Sequence, residues 1–288
     1  MEASRLKNKP SSVESKESIL RLHVLPSYGD YRLDKLDYGA IEDLKVELAQ
    51  KLSHKTINNV LTVVRRMLVV ARKRGLIDAV PEIEWLKVPP PPFDFLTFEE
   101  ADRLVTASKG EEEWQTMILT GLRTGLRRGE LLGLRWEDVD LVTGRLMVRQ
   151  SIVRGRIVTP KSGRLREIPL GDQVLSALKK HRHLRGPLVF CKLSGCAFTR
   201  GDVKHPLNRA TRRAGLRHIG WHVLRHTFAS HLVMRGVPLK VVQELMGHAT
   251  IEMTMRYAHL SPAISREAVR LLDPCGSTVA ARPKNSRN

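Results

Sequence analysis

The last third of the chain contains a single tyrosine, in a segment rich in basic residues. Tyr257 lies in TMRYAHLSP, between Arg256 and His259, whereas the other three tyrosines precede a proline-rich segment near residue 90. A tyrosine hydroxyl can attack a phosphoryl group if a base or strong positive charge helps to remove its proton. Considered alone, however, such a residue is more often a helix-surface or half-buried packing group.

A second candidate segment is HVLRH, residues 222–226. His222 and Arg225 are three residues apart and share a helix face. His222 and His226 are four apart, a spacing at which two histidines can chelate a metal ion. The segment lacks the Glu of the zinc-protease motif, and the sequence supplies no obvious third ligand. The alternative without chemistry is a buried His–Arg pair that bonds to backbone groups.

Three further motifs each carry one charged or titratable group of interest. Arg127 lies in TGLRRGELLGLRW, which lacks the pattern of a phosphate-binding loop, and Glu130 could orient an arginine there. Lys161 falls in a predicted tight turn, where a lysine is commonly solvated or contacts a phosphate. His248 follows Gly247 and precedes Tyr257 by nine residues, although a histidine after glycine is more often a helix cap.

In this order, Arg-x-Gly-Glu, a hairpin Lys, His-x-x-Arg, Gly-His and a later Tyr resemble the site of the tyrosine recombinases, the phage integrase family. The resemblance covers residues from about 10 to 272 and is most specific in HVLRHTFASHLVMRGVPLKVVQELMGHATIEMTMRYAHLSP. The catalytic residues that it implies are Arg127, Lys161, His222, Arg225, His248 and Tyr257. It also implies that Glu130 holds the Arg127 region without touching the substrate.

The resemblance implies a site-specific recombinase or integrase that uses no metal, ATP or other cofactor. Tyr257 would attack a DNA phosphodiester, form a 3′-phosphotyrosyl bond and release a 5′-hydroxyl. The two arginines would offset the negative charge that develops on the phosphoryl oxygens. His222 is the implied proton acceptor, Lys161 the acid that protonates the leaving oxygen, and His248 a hydrogen-bonding partner of the phosphate.

The composition agrees with a DNA partner. The 288 residues include 49 Lys and Arg against 30 Asp and Glu, a formal net charge of +19, which indicates nucleic acid before an anionic membrane. Three cysteines exclude a disulfide scaffold and fit a reducing cytosol. Since neither a membrane-spanning run nor a signal segment is apparent, we expect a cytoplasmic, nucleoid-associated prokaryotic protein.

The hydrophobic pattern predicts helices on both sides of the prolines. We expect a helix from about Val13 to Leu25 that stops at Pro26, a second helix that starts near Tyr38, and a third after an N-cap at Ser53. The third of these is expected to bury Val60, Leu61, Val64, Leu68 and Ala71. Thr97 is expected to begin another helix, and residues 114–124 form a further one. Three short runs between residues 145 and 170 predict a three-stranded antiparallel sheet, with Lys161 between its second and third strands.

The predicted fold class is mainly α with a small antiparallel β-sheet (α+β). The resemblance implies an N-terminal, SAM-like helical core-binding domain and a C-terminal tyrosine recombinase catalytic domain that together form a C-shaped clamp around DNA. The predicted divisions are a lead-in at 1–15, the core-binding domain at 16–86, a linker at 87–95, the catalytic domain at 96–272 and a basic tail at 273–288. Little chain precedes the core-binding domain, so we expect the family's usual first helix to be reduced or missing.

Double-stranded DNA is the implied partner, and the third helix offers basic residues to contact it. The candidates are Lys55, Arg65, Arg66, Arg72 and Lys73. The resemblance also implies a homotetramer on two paired DNA sites, in which a helix at 262–272 docks onto a neighbouring protomer; packing on its own domain is the alternative. Accessory DNA-bending proteins are further candidate partners, and no membrane partner is expected.

Two other functions fit the same residues. A type IB topoisomerase would use the same catalytic set to relax supercoils without exchanging strands between sites. A DNA-binding regulator could retain the fold without turnover, although every side chain expected for catalysis is present. A membrane-surface or zinc protein is disfavoured because neither an amphipathic anchor nor a complete ligand set appears.

Overall fold

The computed structural model describes residues 10–89, 93–159 and 165–262. The chain divides into two compact units, residues 1–92 and residues 93–288. Several predicted features lie outside the described residues: Lys161, the docking helix beyond Pro262, the basic tail, and three prolines of the linker. None of the described helices is both long and apolar enough to cross a membrane.

The first unit is helical throughout its described elements. α1 (Pro10–Ile19) leads through a π-helical turn (Leu20–Val24) into α2 (Leu25–Tyr28), and α3 (Tyr38–Ala49) and α4 (His54–Lys73) follow. The predicted end of the first helix at Pro26 is wrong. Pro26 lies in the first turn of α2, where a missing N–H removes no intrahelical hydrogen bond, so the helical path continues.

The longest helix of this unit, α4, supplies much of its core. Ser53 caps α4, because its side chain accepts a hydrogen bond from the backbone N–H of Thr56. The buried face consists of Ile57, Val60, Leu61, Val64, Leu68 and Ala71. The five basic residues named above as DNA contacts are all exposed on the rest of the helix. The burial pattern therefore leaves a basic face of α4 open to solvent.

The second unit combines helices with short strands. Its helices are α5 (Phe98–Ala107), α6 (Glu112–Thr124), α7 (Arg128–Leu132), α8 (Asp172–His181), α9 (Arg200–Arg213), α10 (Trp221–Met234), α11 (Leu239–Met246) and α12 (Glu252–Met255). α5 begins as predicted, with a capping box between Thr97 and Glu100. α6 packs against α10 in the middle of the core, where Met117, Ile118 and Leu224 are fully buried.

Within the part of the chain that the structure describes, two small antiparallel sheets replace the single predicted sheet. The strands are β1 (Val139–Asp140), β2 (Arg145–Val148), β3 (Ser151–Val153), β4 (Arg156–Val158) and β5 (Arg166–Pro169). One sheet has the order β1-β2-β5, and β3 pairs with β4 alone. Arg154 and Gly155 cause the difference, since their φ values of 52° and 75° close a two-residue hairpin. Arginine is unusual in that backbone conformation, so the sequence did not indicate this turn.

Gly125 should tolerate alanine less well than a glycine of the same backbone conformation in the same unit. Gly125 and Gly215 both have φ of +63°. A Cβ on Gly125 would lie 2.4 Å from Cδ1 of Phe228, whereas no heavy atom lies within 4 Å of one on Gly215. We expect Gly215→Ala to lower the free energy of unfolding by about 1 kcal/mol. Gly125→Ala should cost about 1–3 kcal/mol more, because it also overpacks the core.

Urea denaturation followed by tryptophan fluorescence measures both variants. Equal losses of unfolding free energy would show that the core around Phe228 relaxes without cost.

Candidate active site

The site begins with an arginine that bonds to the ends of two helices. Arg225 lies on α10 and is 1% exposed. Its Nη1 donates a hydrogen bond to the Gly125 carbonyl oxygen at 2.6 Å, and its Nη2 donates one to the Met246 carbonyl oxygen at 2.5 Å. These carbonyls end α6 and α11, where acceptors lack intrahelical donors and the helix dipole is negative. The guanidinium therefore holds both helix ends against α10.

A buried carboxylate joins two further arginines to this group. Glu130, on α7, accepts hydrogen bonds from the backbone N–H and Nη1 of Arg127, both at 2.9 Å, and from Nη1 and Nη2 of Arg166 at 3.2 and 2.6 Å. Burial alone would raise the pKa of the Glu130 carboxyl. The hydrogen bonds and charge of Arg166, with those of Arg127, outweigh burial and lower the pKa to about 2. Glu130 is therefore ionised at neutral pH.

The turn after α11 contacts two arginines, Arg166 of β5 and Arg127. Nε of Arg166 donates to the Leu245 carbonyl at 3.1 Å, and Nη2 of Arg127 donates to the Gly247 carbonyl at 3.4 Å. Gly247 has φ of +60°, and a Cβ on it would lie 2.9 Å from Cδ of Arg166. Glycine meets both requirements, the left-handed backbone and the close contact, which explains the glycine that precedes His248.

The cluster carries more positive than negative charge. Glu130 forms ion pairs with Arg127 and Arg166, and Arg225 is a third guanidinium that is close enough to feel its charge. Burial, followed by the charge of Arg127, lowers the pKa of Arg225 to about 9, which leaves it protonated at pH 7. Excess buried charge is costly unless a counter-ion is bound. The arrangement is therefore suited to an anion, and arginine forks match phosphate oxygens.

His248 lies in the turn between this cluster and the tyrosine. Its Nδ1 is 2.9 Å from Oγ1 of Thr254, and its ring is parallel to that of Tyr257 with centroids 6.5 Å apart. Burial, and then the charge of Arg225 and other arginines, lowers the pKa of His248 to about 3. A neutral imidazole of this kind can donate one N–H to an anionic oxygen.

Tyr257 follows α12 and is 1% exposed. Its hydroxyl oxygen is 2.6 Å from Nδ1 of His226. The ring of Phe93 packs edge-on against the tyrosine ring, with centroids 5.4 Å apart. Burial raises the pKa of Tyr257, although the charge of Arg225 and a second arginine opposes the shift. The hydroxyl therefore keeps its proton at neutral pH, and chemistry at this oxygen needs a proton acceptor.

The structure brings most of the predicted catalytic residues together. The four that lie in or beside the cluster are Arg127, Arg225, His248 and Tyr257. His222 is an exposed residue in the first turn of α10, and its ring meets that of His226 with centroids 4.5 Å apart. Lys161 is outside the described residues.

Sequence reasoning did not include Arg166 or His226 in the site. β5 alternates between exposed and buried positions, and Arg166 occupies a buried one. A charged residue on the inward face of a strand is a usable signal, because such residues are rarely buried unless they are paired. His226 was considered only as a metal ligand with His222. Among the residues that the structure describes, no group of three or more His, Cys, Asp or Glu side chains is placed to hold a metal ion.

The fold and the arginine–histidine–tyrosine cluster together define a catalytic domain of the tyrosine recombinase class. The phage integrase family model matches residues 94–263, and the chain belongs to this family.

Curated relatives carry recombinase and integrase names. The chain is 30% identical to a XerC-like tyrosine recombinase of Caldanaerobacter subterraneus, over 61% of this chain and 52% of the relative. It is 28% identical to tyrosine recombinase XerC of Thermodesulfovibrio yellowstonii, over 83% and 86%. It is 31% identical to the integrase of Salmonella phage P22, over 75% and 57%. The chain thus spans little more than half the length of the first and third of these relatives.

Solved structures share the fold at low sequence identity. The Tn1549 transposon integrase in complex with a circular intermediate DNA has a TM-score of 0.80 and 22% identity, over 94% of this chain and 96% of that chain. A lambda integrase dimer bound to a core site has a TM-score of 0.72 and 20% identity, over 91% and 92%.

Replacing Glu130 should destabilise the protein in a pH-dependent way. The pKa of Glu130 is lower in the folded protein than its ordinary value of 4.5, so its charged form stabilises the fold above about pH 4.5 and this contribution is lost as the pH falls through about 2. Glu130→Gln leaves buried arginines without their carboxylate and should lower the free energy of unfolding by about 3 kcal/mol at pH 7. The difference from the unmodified protein should shrink as the pH falls below 4.5.

Urea denaturation over a range of pH measures this effect. Glu112→Gln is the matched control, because the Glu112–Lys180 ion pair is exposed and should contribute about 0.5 kcal/mol or less. A Glu130→Gln loss that does not change between pH 7 and pH 3 would contradict the assignment of charge to Glu130.

Proposed function

We propose that this protein is a site-specific DNA recombinase or integrase that acts through a 3′-phosphotyrosyl intermediate. The observation that carries the proposal is the surplus of buried guanidinium charge beside the hydroxyl of Tyr257. A scissile phosphate would supply the missing negative charge. The excess positive charge would stabilise the transition state more strongly than the bound substrate, because negative charge develops on the phosphoryl oxygens. Membership of the phage integrase family supports the same reaction.

The proposed reaction uses residues of the cluster together with Lys161, which lies outside the described residues. Arg127 and Arg225 bind non-bridging phosphate oxygens, and His248 donates a hydrogen bond to one of them. The Tyr257 oxygen attacks phosphorus while its proton passes to a histidine of the HVLRH segment. The bond from phosphorus to the 5′ oxygen breaks, and Lys161 protonates that oxygen. The phosphotyrosyl bond is itself a phosphodiester, so the energy of the broken DNA bond is conserved. Rejoining reverses the same steps with another 5′-hydroxyl and needs neither metal nor ATP.

Glu130 acts on this reaction through Arg127. Its carboxylate bonds both the backbone N–H and the guanidinium of Arg127, so it determines where the guanidinium points. Arg166 shares Glu130 and also bonds the Leu245 carbonyl, and it therefore links Arg127 to the turn that carries His248. We propose positioning roles for both residues.

The partner that we propose is double-stranded DNA. The net charge of +19 and the exposed basic face of α4 favour phosphate contact in the first unit, which we propose to be the core-binding domain. The structures of the Tn1549 and lambda integrases named above contain DNA. We further propose that the protein acts as a homotetramer on two paired sites, with residues 262–272 joining protomers.

Tyr257→Phe should abolish covalent capture of DNA and leave DNA binding intact, because it removes one oxygen atom from a buried ring. The substrates are nicked suicide duplexes carrying sites selected from a random library by binding to the unmodified protein. A denaturing gel measures adduct in the presence of EDTA, and a gel-shift titration measures binding. Tyr31→Phe, in an exposed tyrosine of the first unit, is the control and should form adduct at the unmodified rate.

The outcomes separate the proposal from its alternatives. Adduct that persists in Tyr257→Phe would refute the nucleophile assignment. Strand exchange between two sites distinguishes a recombinase from a topoisomerase, which would relax supercoiled DNA without producing exchanged products. Specific binding without any adduct in the unmodified protein would favour a regulator that has lost turnover.

A further inference from the structure

Three polar side chains lie in one line on the outer surface of α4. Asn59, Thr62 and Arg66 are all exposed, and their spacings of three and four residues place them on one stripe of the helix. Because successive residues of an α-helix are turned by about 100°, this stripe is opposite the buried face of α4, which is centred on Val64. The three side chains therefore point away from the core of the first unit.

The two adjacent asparagines of α4 have different environments. The Asn58 side chain donates a hydrogen bond to the Leu86 carbonyl oxygen at 2.8 Å and accepts one from the Leu86 N–H at 3.0 Å. Asn58 thereby holds an extended segment of the first unit against α4, which accounts for an amide at this position. The side chain of Asn59 makes no hydrogen bond to another residue that the structure describes. Its amide therefore offers an adjacent donor and acceptor to an external partner.

Thr62 and Arg66 complete the stripe. The Thr62 hydroxyl donates to the Asn58 carbonyl oxygen of the same helix at 2.8 Å, so a short side chain separates the two longer ones. Arg66 has no ion pair with a described carboxylate, and α4 itself contains neither Asp nor Glu. Its guanidinium fork is therefore available to a planar group that presents two acceptors.

Basic side chains surround the stripe. Lys55 and Lys73 lie at its two ends, and Arg65 and Arg72 lie beside it on the same side of the helix. Phosphate contacts fix the position of a protein on DNA, whereas side chains that reach the base edges read the sequence. The outer face of α4 carries both kinds of group, and the major groove, about 12 Å wide, admits one α-helix.

Phosphate binding alone does not account for Asn59. A neutral amide adds no charge, so it contributes little to binding that depends on the charge of the DNA backbone. In the major groove, asparagine can pair with N6 and N7 of adenine, and arginine can pair with O6 and N7 of guanine. Each pair uses two hydrogen bonds, so each distinguishes one base from the other three.

We propose that α4 enters the major groove of the bound DNA and that Asn59 and Arg66 determine which sequence the protein recognises, an inference that rests on the proposed function. Asn59 binds an adenine, Arg66 binds a guanine, and Arg65 and Arg72 contact phosphates of one strand. Asn59 and Arg66 are about 10 Å apart along the helix axis. At about 3.4 Å per base pair, the two bases are about three base pairs apart in each recognised site.

Selection from a random DNA library, followed by sequencing, measures the base preference at every position of the bound sites. Asn59→Ala should lose the preference for adenine at one position, and Arg66→Ala should lose that for guanine about three base pairs away. Affinity for the site that the unmodified protein selects should fall about 5- to 150-fold in each variant, which corresponds to the loss of one bidentate pair. Affinity for unrelated DNA should fall less.

Arg66→Gln tests for a change of specificity rather than a loss. Glutamine forms two hydrogen bonds with adenine, so the preferred base at the Arg66 position should change from guanine to adenine. Removal of a charge that only binds phosphate would weaken binding to every sequence and would not create a new preference.

Two control variants match these changes in residue type. Arg72→Ala also removes an exposed arginine from α4, and it should reduce the slope of log affinity against log salt concentration by about 1 with unchanged base preferences. Asn58→Ala removes the neighbouring amide, and it should lower the melting temperature with unchanged base preferences, because Asn58 holds Leu86. The variants at Asn59 and Arg66 should melt with the unmodified protein, since both side chains are exposed.

Failure of this proposal is distinguishable from failure of the recombinase proposal. If the three variants at Asn59 and Arg66 select the same sequences as the unmodified protein, the two residues do not read bases and the proposal is overturned. Adduct formation at the selected sites then leaves the recombinase proposal intact. If the unmodified protein prefers no sequence over random DNA, it is not site-specific, and both proposals fail.

Discussion

Arg225 donates hydrogen bonds to the carbonyls that end α6 and α11, and the rest of the site takes its position from these two contacts. Helix C-termini present unpaired acceptors and a negative dipole, so a buried guanidinium between two of them is satisfied without a carboxylate. Both helices end at glycines in the left-handed conformation, Gly125 and Gly247. The segment after Gly125 carries Arg127 and Glu130, and the segment after Gly247 carries His248 and Tyr257. Segments far apart in sequence therefore meet around one cation.

Charge is balanced only in part around that cation. Glu130 neutralises one unit of charge among three neighbouring arginines, and its low pKa shows how strongly the folded protein favours its ionised form. Under the proposed function, a second buried carboxylate would stabilise the cluster but would compete with the phosphate for the same donors. The excess positive charge lowers the stability of the folded protein, and burial of the large apolar core of the second unit compensates for this loss. Arg166 also makes two kinds of contact, because it donates hydrogen bonds to the Leu245 carbonyl before the Gly247 turn and to Glu130.

Tyr257 is held in a state that is ordered and unreactive. Burial raises its pKa, and the nearby arginines only reduce that effect, so the hydroxyl remains protonated until a base and a phosphate are both in place. A neutral nucleophile beside neutral histidines adds no charge to a cluster that is already positive. Phe93 packs against the tyrosine ring, and Nδ1 of His226 lies at hydrogen-bond distance from the hydroxyl, so both residues help to enclose it. In the proposed reaction, the positive charge would therefore act on the developing transition state rather than on the resting tyrosine.

Much of this protein can be inferred from the sequence because local rules determine it. The Ser53 and Thr97 caps, the buried stripe of α4 and the end of α6 follow from residue types at helical spacing, and the motifs around Arg127, Arg225 and Tyr257 indicate the family. The pairing of the strands could not be inferred from the sequence, because the hairpin depends on Arg154 in a left-handed conformation that its residue type disfavours.

The partners of the charged side chains could not be inferred from the sequence either. HVLRH offers two histidines four residues apart, and the position of Tyr257 against α10 decides which of them reaches the hydroxyl. Burial of Arg166 beside Glu130 likewise joins residues 36 positions apart. Spacing along one helix or strand is a local property, whereas a hydrogen bond between elements depends on how those elements pack, and only the tertiary structure determines that packing.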